Sequence, residues 1–237
     1  MRPVCLLTGA GGLFGQAFVA RCAAEYRIVA VHGRTPVNRA SQNQTFVDPL
    51  NPGGRLALND DPVHTIRADL SRADEIERVV DETLNEFGQV DLLINAAARR
   101  HWAPLLAPGA IASASEVFDV NLLAPLRMSV EVARRCWLAD PAGNLAANRS
   151  VVQLSSTAGL YVYPDLGQAL YGTSKAGLNH LTYHLASEFW DLGVRVNALA
   201  PDTFPGRVAT QDVIDGVLDL ARSDVTGRIV DLTADGG

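Results

Sequence analysis

Tyr171 and Lys175 stand four residues apart in a run whose apolar positions continue through Ala176, Leu178, Leu181 and Leu185. That spacing places both side chains on one face of a helix. A phenol with a pKa of about 10 is a poor acid–base group near neutrality. A neighbouring ammonium favours the phenolate, and lowering the phenol by ~3 units takes about 4 kcal/mol of differential interaction. Ser155, Ser156 and Thr157 follow the apolar run Val151-Val152-Gln153-Leu154 and add hydroxyls that can hold an oxygen atom. Together these groups suit proton transfer to or from an alcohol or carbonyl oxygen.

A second constellation lies near the N-terminus. Thr8-Gly9-Ala10-Gly11-Gly12-Leu13-Phe14-Gly15 follows the apolar run Val4-Cys5-Leu6-Leu7 and opens a helical pattern. Gly9, Gly12 and Gly15 permit a tight turn, close backbone approach and close helix–strand packing, and free N–H groups at the helix start can hold a pyrophosphate. The turn from Thr8 to Gly15 is therefore a candidate dinucleotide anchor. At the end of the next apolar run, Ile28-Val29-Ala30-Val31, the chain reads His32-Gly33-Arg34 with no carboxylate to accept a ribose 2′-hydroxyl. A guanidinium there clamps a phosphate and stacks on adenine, so Arg34 favours NADP over NAD, with Arg39 as a helper.

The elements that must position these groups alternate along the chain. Val4–Leu7, Ile28–Val31, Leu92–Ile94, Val151–Leu154, Val194–Val196 and Ile229–Leu232 are short Val/Ile/Leu runs without polar alternation, and Val63–Ile66 is a weaker seventh. Such runs are strands of a parallel sheet covered on both faces. Between them, Ile76, Val79, Val80, Leu84 and Phe87 mark one helical stripe, with Ser71 expected as N-cap and Gly88 as the stop. The expected fold is a Rossmann-type, doubly wound α/β domain over residues 1–237, with a seven-stranded parallel sheet and helices on both faces. Two segments break the rhythm. Residues 35–61 carry Pro36, Asp48-Pro49, Asn51-Pro52-Gly53-Gly54 and Asp61 with no helical or strand period, and read as a long loop insertion. Residues 201–210 leave little chain between the strand-like run up to Leu199 and the next helical run.

In this order the chain resembles the short-chain dehydrogenase/reductase family over essentially its whole length. The resemblance rests on Thr8–Gly15, Asp69-Leu70, Asn95-Ala96-Ala97-Ala98, Asn121, Ser155-Ser156, Tyr171-Gly172-Thr173-Ser174-Lys175 and Val194–Pro201. It implies that Asp69 and Leu70 lie beside the adenine, and that Asn95, Ala96, Ala97 and Pro201 border the cofactor. It implies catalysis by Asn121, Ser156, Tyr171 and Lys175, with Lys175 also holding the cofactor ribose; the ammonium and the positive nicotinamide ring of the oxidised cofactor are the two cations that together favour the Tyr171 phenolate. Ser156 aligns with the catalytic serine, but its separation from Tyr171 is 171 − 156 = 15, about two longer than the family pattern. Either Leu160–Gln168 carries an insertion, or Ser155 or Thr157 takes the role; for Ser155 a strand-end capping role is preferred. Pro125 lies four residues after Asn121 and has no N–H to offer that carbonyl. The resemblance implies that this carbonyl anchors a water in a proton relay. Leu13 stands where the main branch has glycine, and Asp202 where glycine follows the proline; the glycine spacing is closer to the sugar-nucleotide branch.

The activity implied is hydride transfer between a nicotinamide cofactor, NADP with NAD as the alternative, and a small carbonyl or alcohol substrate, as in a ketone or aldehyde reductase. The alternatives are an inactive NADP-sensing protein and a sugar-nucleotide epimerase or dehydratase. The latter is disfavoured, since no C-terminal substrate domain is expected after Gly237. The shortened lid at 201–210 suggests an open pocket, and the resemblance implies a homodimer or homotetramer. His101-Trp102 and Arg99-Arg100 read as pocket mouth or surface loop, and Tyr161 and Tyr163 as loop tyrosines near substrate. His180 and His184 read as a packed helix face, and Trp137 and Trp190 as packing.

Composition narrows the rest. Hydrophobic content of 48% against 19% charged residues supports a sizeable core. A net charge of −6 gives no basic footprint for nucleic acid or an anionic membrane. Cys5, Cys22 and Cys136 form neither a disulfide framework nor a metal site, no apolar run approaches ~18 residues, and no signal peptide precedes Val4. A cytoplasmic location is expected, without a metal.

Overall fold

The computed structural model describes residues 2–37 and 63–234, together with the backbone of 46–47 and 55–56. The strands of the main sheet are β1 (Val4–Thr8), β2 (Arg27–His32), β5 (Val63–Arg67), β6 (Leu92–Asn95), β7 (Ser150–Leu154), β8 (Arg195–Pro201) and β9 (Ile229–Leu232). They run in the order β5-β2-β1-β6-β7-β8-β9, and every pairing is parallel. Chain order moves outward from β1 through β2 to β5, then returns to β6 on the other side of β1. That reversal opens a crevice at the carboxyl ends of β1 and β6, where ligands of such sheets bind.

Alternation along each strand divides the core into two layers. Cys5, Leu7, Ile28, Ala30, Ile94, Val152 and Leu199 face α1 (Leu13–Cys22) and α7 (Thr210–Arg222). Val4, Leu6, Val29, Val31, Leu93, Val151 and Val196 face α2 (Ala73–Phe87), α4 (Ala124–Val132) and α6 (Ala169–Glu188). Continuous apolar strand runs follow from this burial on both sides.

Several local outcomes differ from the sequence expectation. β8 extends to Pro201 and is buried along its length, because β7 and β9 supply ladder partners to a sequence of modest strand propensity. Ser71 does not cap α2. Arg72 holds the N-cap position, and both the N–H and the hydroxyl of Ser71 donate to Asp69 Oδ1, at 3.1 and 2.7 Å. Gly88 ends that helix as expected, at φ +73°. Inside the 35–61 span, β3 (Phe46–Val47) pairs antiparallel with β4 (Arg55–Leu56). The remainder of 38–62, Arg39 included, lies outside the described residues.

The run from 114 to 137 is helical but not uniform. α3 (Ala114–Phe118) passes into a π turn over Asp119–Leu123, then α4, then a second π turn over Ala133–Trp137. The first π turn puts Pro125 in the opening turn of α4, where a missing N–H is tolerated. Trp137 is fully buried and donates to the Val90 carbonyl at 2.8 Å, whereas Trp190, read as packing, is 69% exposed. At the amino ends of the strands, Asp91 pairs with Arg149 at 3.1 Å and accepts from Val4 N at 2.8 Å. The short helix α5 (Pro141–Ala146) completes the fold.

Candidate active site

Tyr171 and Lys175 occupy one face of α6 in its first two turns, as their spacing requires. Lys175 is 2% exposed, its Nζ lies 5.9 Å from the Tyr171 ring centroid, and it donates to the Leu154 carbonyl at 2.7 Å. Burial, seconded by the Arg100 charge, lowers its pKa from 10.5 to about 7. Burial raises the Tyr171 pKa above the ordinary value, and a hydrogen bond with Ser156 and the charge of Arg100 only partly oppose this. A desolvated phenol in this chain is held neutral, and a further cation is needed to favour the phenolate.

The three consecutive hydroxyls resolve by direction. Ser155 is buried and donates to Asn179 Oδ1 at 2.6 Å, a packing role. Thr157 is buried as well. Ser156, at the N-cap of a 3₁₀ turn over Thr157–Gly159, accepts from Ala158 N and is the hydroxyl that meets Tyr171. Two glycines allow this approach. A Cβ on Gly159 would lie 2.7 Å from the Lys175 carbonyl carbon, and one on Gly172 would lie 2.8 Å from the Ala158 oxygen. Asn179 reinforces the turn by donating to the Gly159 carbonyl at 3.3 Å. Gly159 and Asn179 were not singled out in the sequence, since their role is visible only once the turn lies on α6. The extra residues before Tyr171 form an exposed segment in which Tyr161 donates to Asp231 at 2.7 Å.

Asn121 is fully buried in the first π turn. Its Oδ1 accepts from Arg99 N at 2.6 Å, and its Nδ2 donates to the Arg99 carbonyl at 3.0 Å and to Ser174 Oγ at 2.9 Å. Ser174 Oγ in turn donates to the Tyr171 carbonyl. Asn121 thus fastens the loop after β6 to the turn of α6 that carries Tyr171. The π turn bonds Ala124 N to the Asp119 carbonyl.

At the crevice, Thr8 Oγ1 accepts from Ala96 N and Ala97 N at 3.0 and 3.2 Å, joining the ends of β1 and β6. Gly9 adopts φ +72°, and a Cβ there would meet the Ala96–Ala97 backbone at 2.7 Å. A side chain on Gly11 would strike the Thr35 carbonyl, and one on Gly15 the backbone of Ala10. Gly12 is the N-cap of α1 and supplies no side-chain cap to the N–H groups that follow it. A Cβ on Gly12 would touch only the Gly9 oxygen, at 3.3 Å, so the space over the helix start is open. These features fit a dinucleotide pyrophosphate. Phe14 and Leu70 turn their side chains into the core, leaving only backbone at the crevice. Leu13 is 51% exposed at the first position of α1. Asn95 is buried and donates to Ser129 at 3.3 Å. Arg34 and Asp69 are exposed, Pro201 is buried at the end of β8, and the Arg34 charge helps hold the Asp69 carboxyl below its usual range after the hydrogen bonds from Ser71.

Beyond Pro201, Asp202 accepts from Thr203 N at 2.6 Å and pairs with Arg207 at 3.3 Å, closing a compact turn before α7. His180 and His184 sit 3.3 Å apart on the exposed face of α6, not a packed one. Among the described residues no group of three or more His, Cys, Asp or Glu is placed to hold a metal, and no helix is long and apolar enough to cross a membrane.

A family profile described as short chain dehydrogenase matches residues 3–213. The chain is 31% identical over 237 residues to the short-chain reductase protein NovJ of Streptomyces niveus, covering 95% of this chain and 81% of that one. It is 28% identical to a 3-oxoacyl-[acyl-carrier-protein] reductase of Synechocystis sp., covering 84% and 72%. Among solved structures, a 4-hydroxyisoleucine dehydrogenase complexed with NADH and succinate superposes with a TM-score of 0.74 at 25% identity, covering 99% and 100%.

Proposed function

The chain belongs to the short-chain dehydrogenase/reductase family of oxidoreductases, and we propose that it is an NADPH-dependent reductase of a ketone or aldehyde, or the dehydrogenase of the matching alcohol. The observation that carries this reading is the meeting of Ser156, Tyr171 and Lys175 beside the crevice between β1 and β6.

The Thr8–Gly15 turn would hold the pyrophosphate, with Asp69, Asn95, Ala96, Ala97 and Pro201 along its course. A nicotinamide dinucleotide bound there supplies the hydride and, when oxidised, a positive ring. Ser156 orients the substrate oxygen. Tyr171 gives that oxygen a proton during reduction and removes one during oxidation. Lys175, buried and partly neutral near pH 7, exchanges its carbonyl partner for the cofactor ribose and stabilises the phenolate. Asn121 holds the loop and helix that frame the site, and its carbonyl, to which Pro125 offers no N–H, would anchor the water that returns the proton. The chain's contribution is position and electrostatics.

The preference for NADP draws on Arg34, exposed at the end of β2 where no carboxylate would repel a 2′-phosphate. A homodimer or homotetramer and a cytoplasmic setting complete the reading, the latter drawing on three unpaired cysteines. A panel of ketones, aldehydes and alcohols followed at the reduced-nicotinamide absorbance band tests it, with Tyr171→Phe as control. Unchanged turnover in that variant would move the chemistry elsewhere. A second reading, a dinucleotide sensor without turnover, draws on the raised Tyr171; dinucleotide binding with no turnover on any compound would favour it.

A further inference from the structure

Arg99 and Arg100 leave β6 together, and their guanidinium groups meet different fates. Arg99 is held by its backbone on Asn121, and its guanidinium pairs with Glu116 at 3.1 Å. Arg100 is therefore projected from a fixed point. Three residues on, Ala103 N donates to the Gly167 carbonyl at 2.9 Å, and the missing side chain of Gly167 leaves room for the Ala103 backbone. The bridge between these two anchors, residues 100–102, runs from the residue held on Asn121 to the segment just ahead of the helix that carries Tyr171.

Arg100 is exposed and pairs with no carboxylate among the described residues. Its charge nevertheless reaches both Tyr171 and Lys175. Among the described residues, Arg100 is the charge that acts on both of those groups. A cation beside a partly buried site favours an anion, and a guanidinium matches a planar carboxylate through two parallel N–H donors. Trp102, 61% exposed, lies on the same bridge.

We propose that Arg100 selects the substrate, and that the substrate is an oxo- or hydroxy-carboxylic acid whose carboxylate pairs with this guanidinium. The inference rests on the reductase reading of the same site. In the reduction, hydride from the reduced cofactor goes to the carbonyl carbon and the Tyr171 proton to its oxygen, giving a hydroxy acid and the oxidised cofactor. The carboxylate is unchanged by the step and serves for recognition.

The test compares pyruvate, acetoacetate and levulinate, each beside its methyl ester, with wild type, Arg100→Gln and Arg100→Lys. The wild type is expected to favour at least one acid over its ester in kcat/KM. Arg100→Gln is expected to collapse that ratio by about 10- to 100-fold, as loss of a charged hydrogen-bonded pair implies, and Arg100→Lys to retain part of it. The ratio isolates recognition, because any change transmitted through Tyr171 falls on acid and ester alike. A binding arm needs no turnover: calorimetry with isovalerate, isovaleramide and inorganic phosphate on the dinucleotide-loaded protein. Isovalerate binding that is lost in Arg100→Gln, with no response to isovaleramide, supports the proposal even if no ketone is reduced, in which case the reductase reading alone fails. Equal acid and ester turnover with isovalerate binding unaffected by Arg100→Gln overturns it, as does binding of phosphate in place of isovalerate.

Discussion

Lys175 donates to the carbonyl of Leu154 across 2.7 Å, so the ammonium buried under Tyr171 is fastened to the end of β7, the strand that also delivers Ser156. This bond keeps the lysine in place but returns only part of the solvation it has lost, and its pKa falls to about 7. The consequence for stability has a definite sign. Below about pH 7 both folded and unfolded states hold the proton, and the folded state bears the full cost of the buried charge. Between about 7 and 10.5 the unfolded chain binds more protons, so stability rises with pH. The expected gain is about 3 kcal/mol from about pH 7 to 9.5, at 1.36 kcal/mol per unit. Urea unfolding across this window should show the slope in the wild type and lose it in Lys175→Met.

Tyr171→Phe removes the only proposed proton donor while keeping the ring. Turnover should fall by about 10³-fold or more, with dinucleotide binding by nicotinamide fluorescence retained. Ser156→Ala should cost about 10²-fold. Because the Ser156 hydrogen bond lowers the Tyr171 pKa, its loss should also move the alkaline limb of the pH–rate profile upward. A limb that stays in place would show that the two hydroxyls are not coupled.

Asn121→Ala breaks three hydrogen bonds, one buried and two partly buried, that join the loop after β6 to α6. A loss of about 3 kcal/mol is expected, from ~1 kcal/mol per bond and the buried groups left unpaired. It should appear as a lower urea midpoint at constant slope, accompanied by a fall in kcat. Unchanged stability would mean that Arg99 and Ser174 find other partners.

Gly159→Ala places a methyl 2.7 Å from the Lys175 backbone and should push the Ser156 turn off α6. An overpacking cost of about 1–3 kcal/mol is expected, with kcat falling more than dinucleotide affinity. Gly33→Ala is the control, since a Cβ there meets nothing within 4 Å.

Arg34→Ala separates the two cofactors. Affinity for NADP should drop about 10-fold or more, while that for NAD changes little, measured by fluorescence titration of both reduced forms. Equal losses for the two cofactors would assign Arg34 to adenine stacking and remove the preference.

Much of this molecule follows from the sequence. The strand runs between Val4 and Leu232 are short and apolar without alternation, and such runs are stable only when both faces are covered, so a parallel sheet between helix layers is implied before any coordinate is known. The turn from Thr8 to Gly15 and the four-residue spacing of Tyr171 and Lys175 are equally local, because backbone conformation and helical geometry act within a few residues. Three-dimensional packing decided the rest. Which of Ser155, Ser156 and Thr157 meets Tyr171 depends on how a 3₁₀ turn lands on α6, and that landing depends on Gly159, Gly172 and Asn179. Ser71 lost its capping role to a carboxylate two residues away. Burial pushes Tyr171 up against the Ser156 hydrogen bond and the Arg100 charge, and burial is a sum over neighbours from distant parts of the chain. Arg100 acquired its position from the Arg99–Asn121 contact on one side and the Ala103–Gly167 contact on the other, 22 and 64 positions apart in sequence by the differences 121 − 99 and 167 − 103. Desolvation and long-range contact exist only once the chain has closed on itself, and the charge state of this site is made of both.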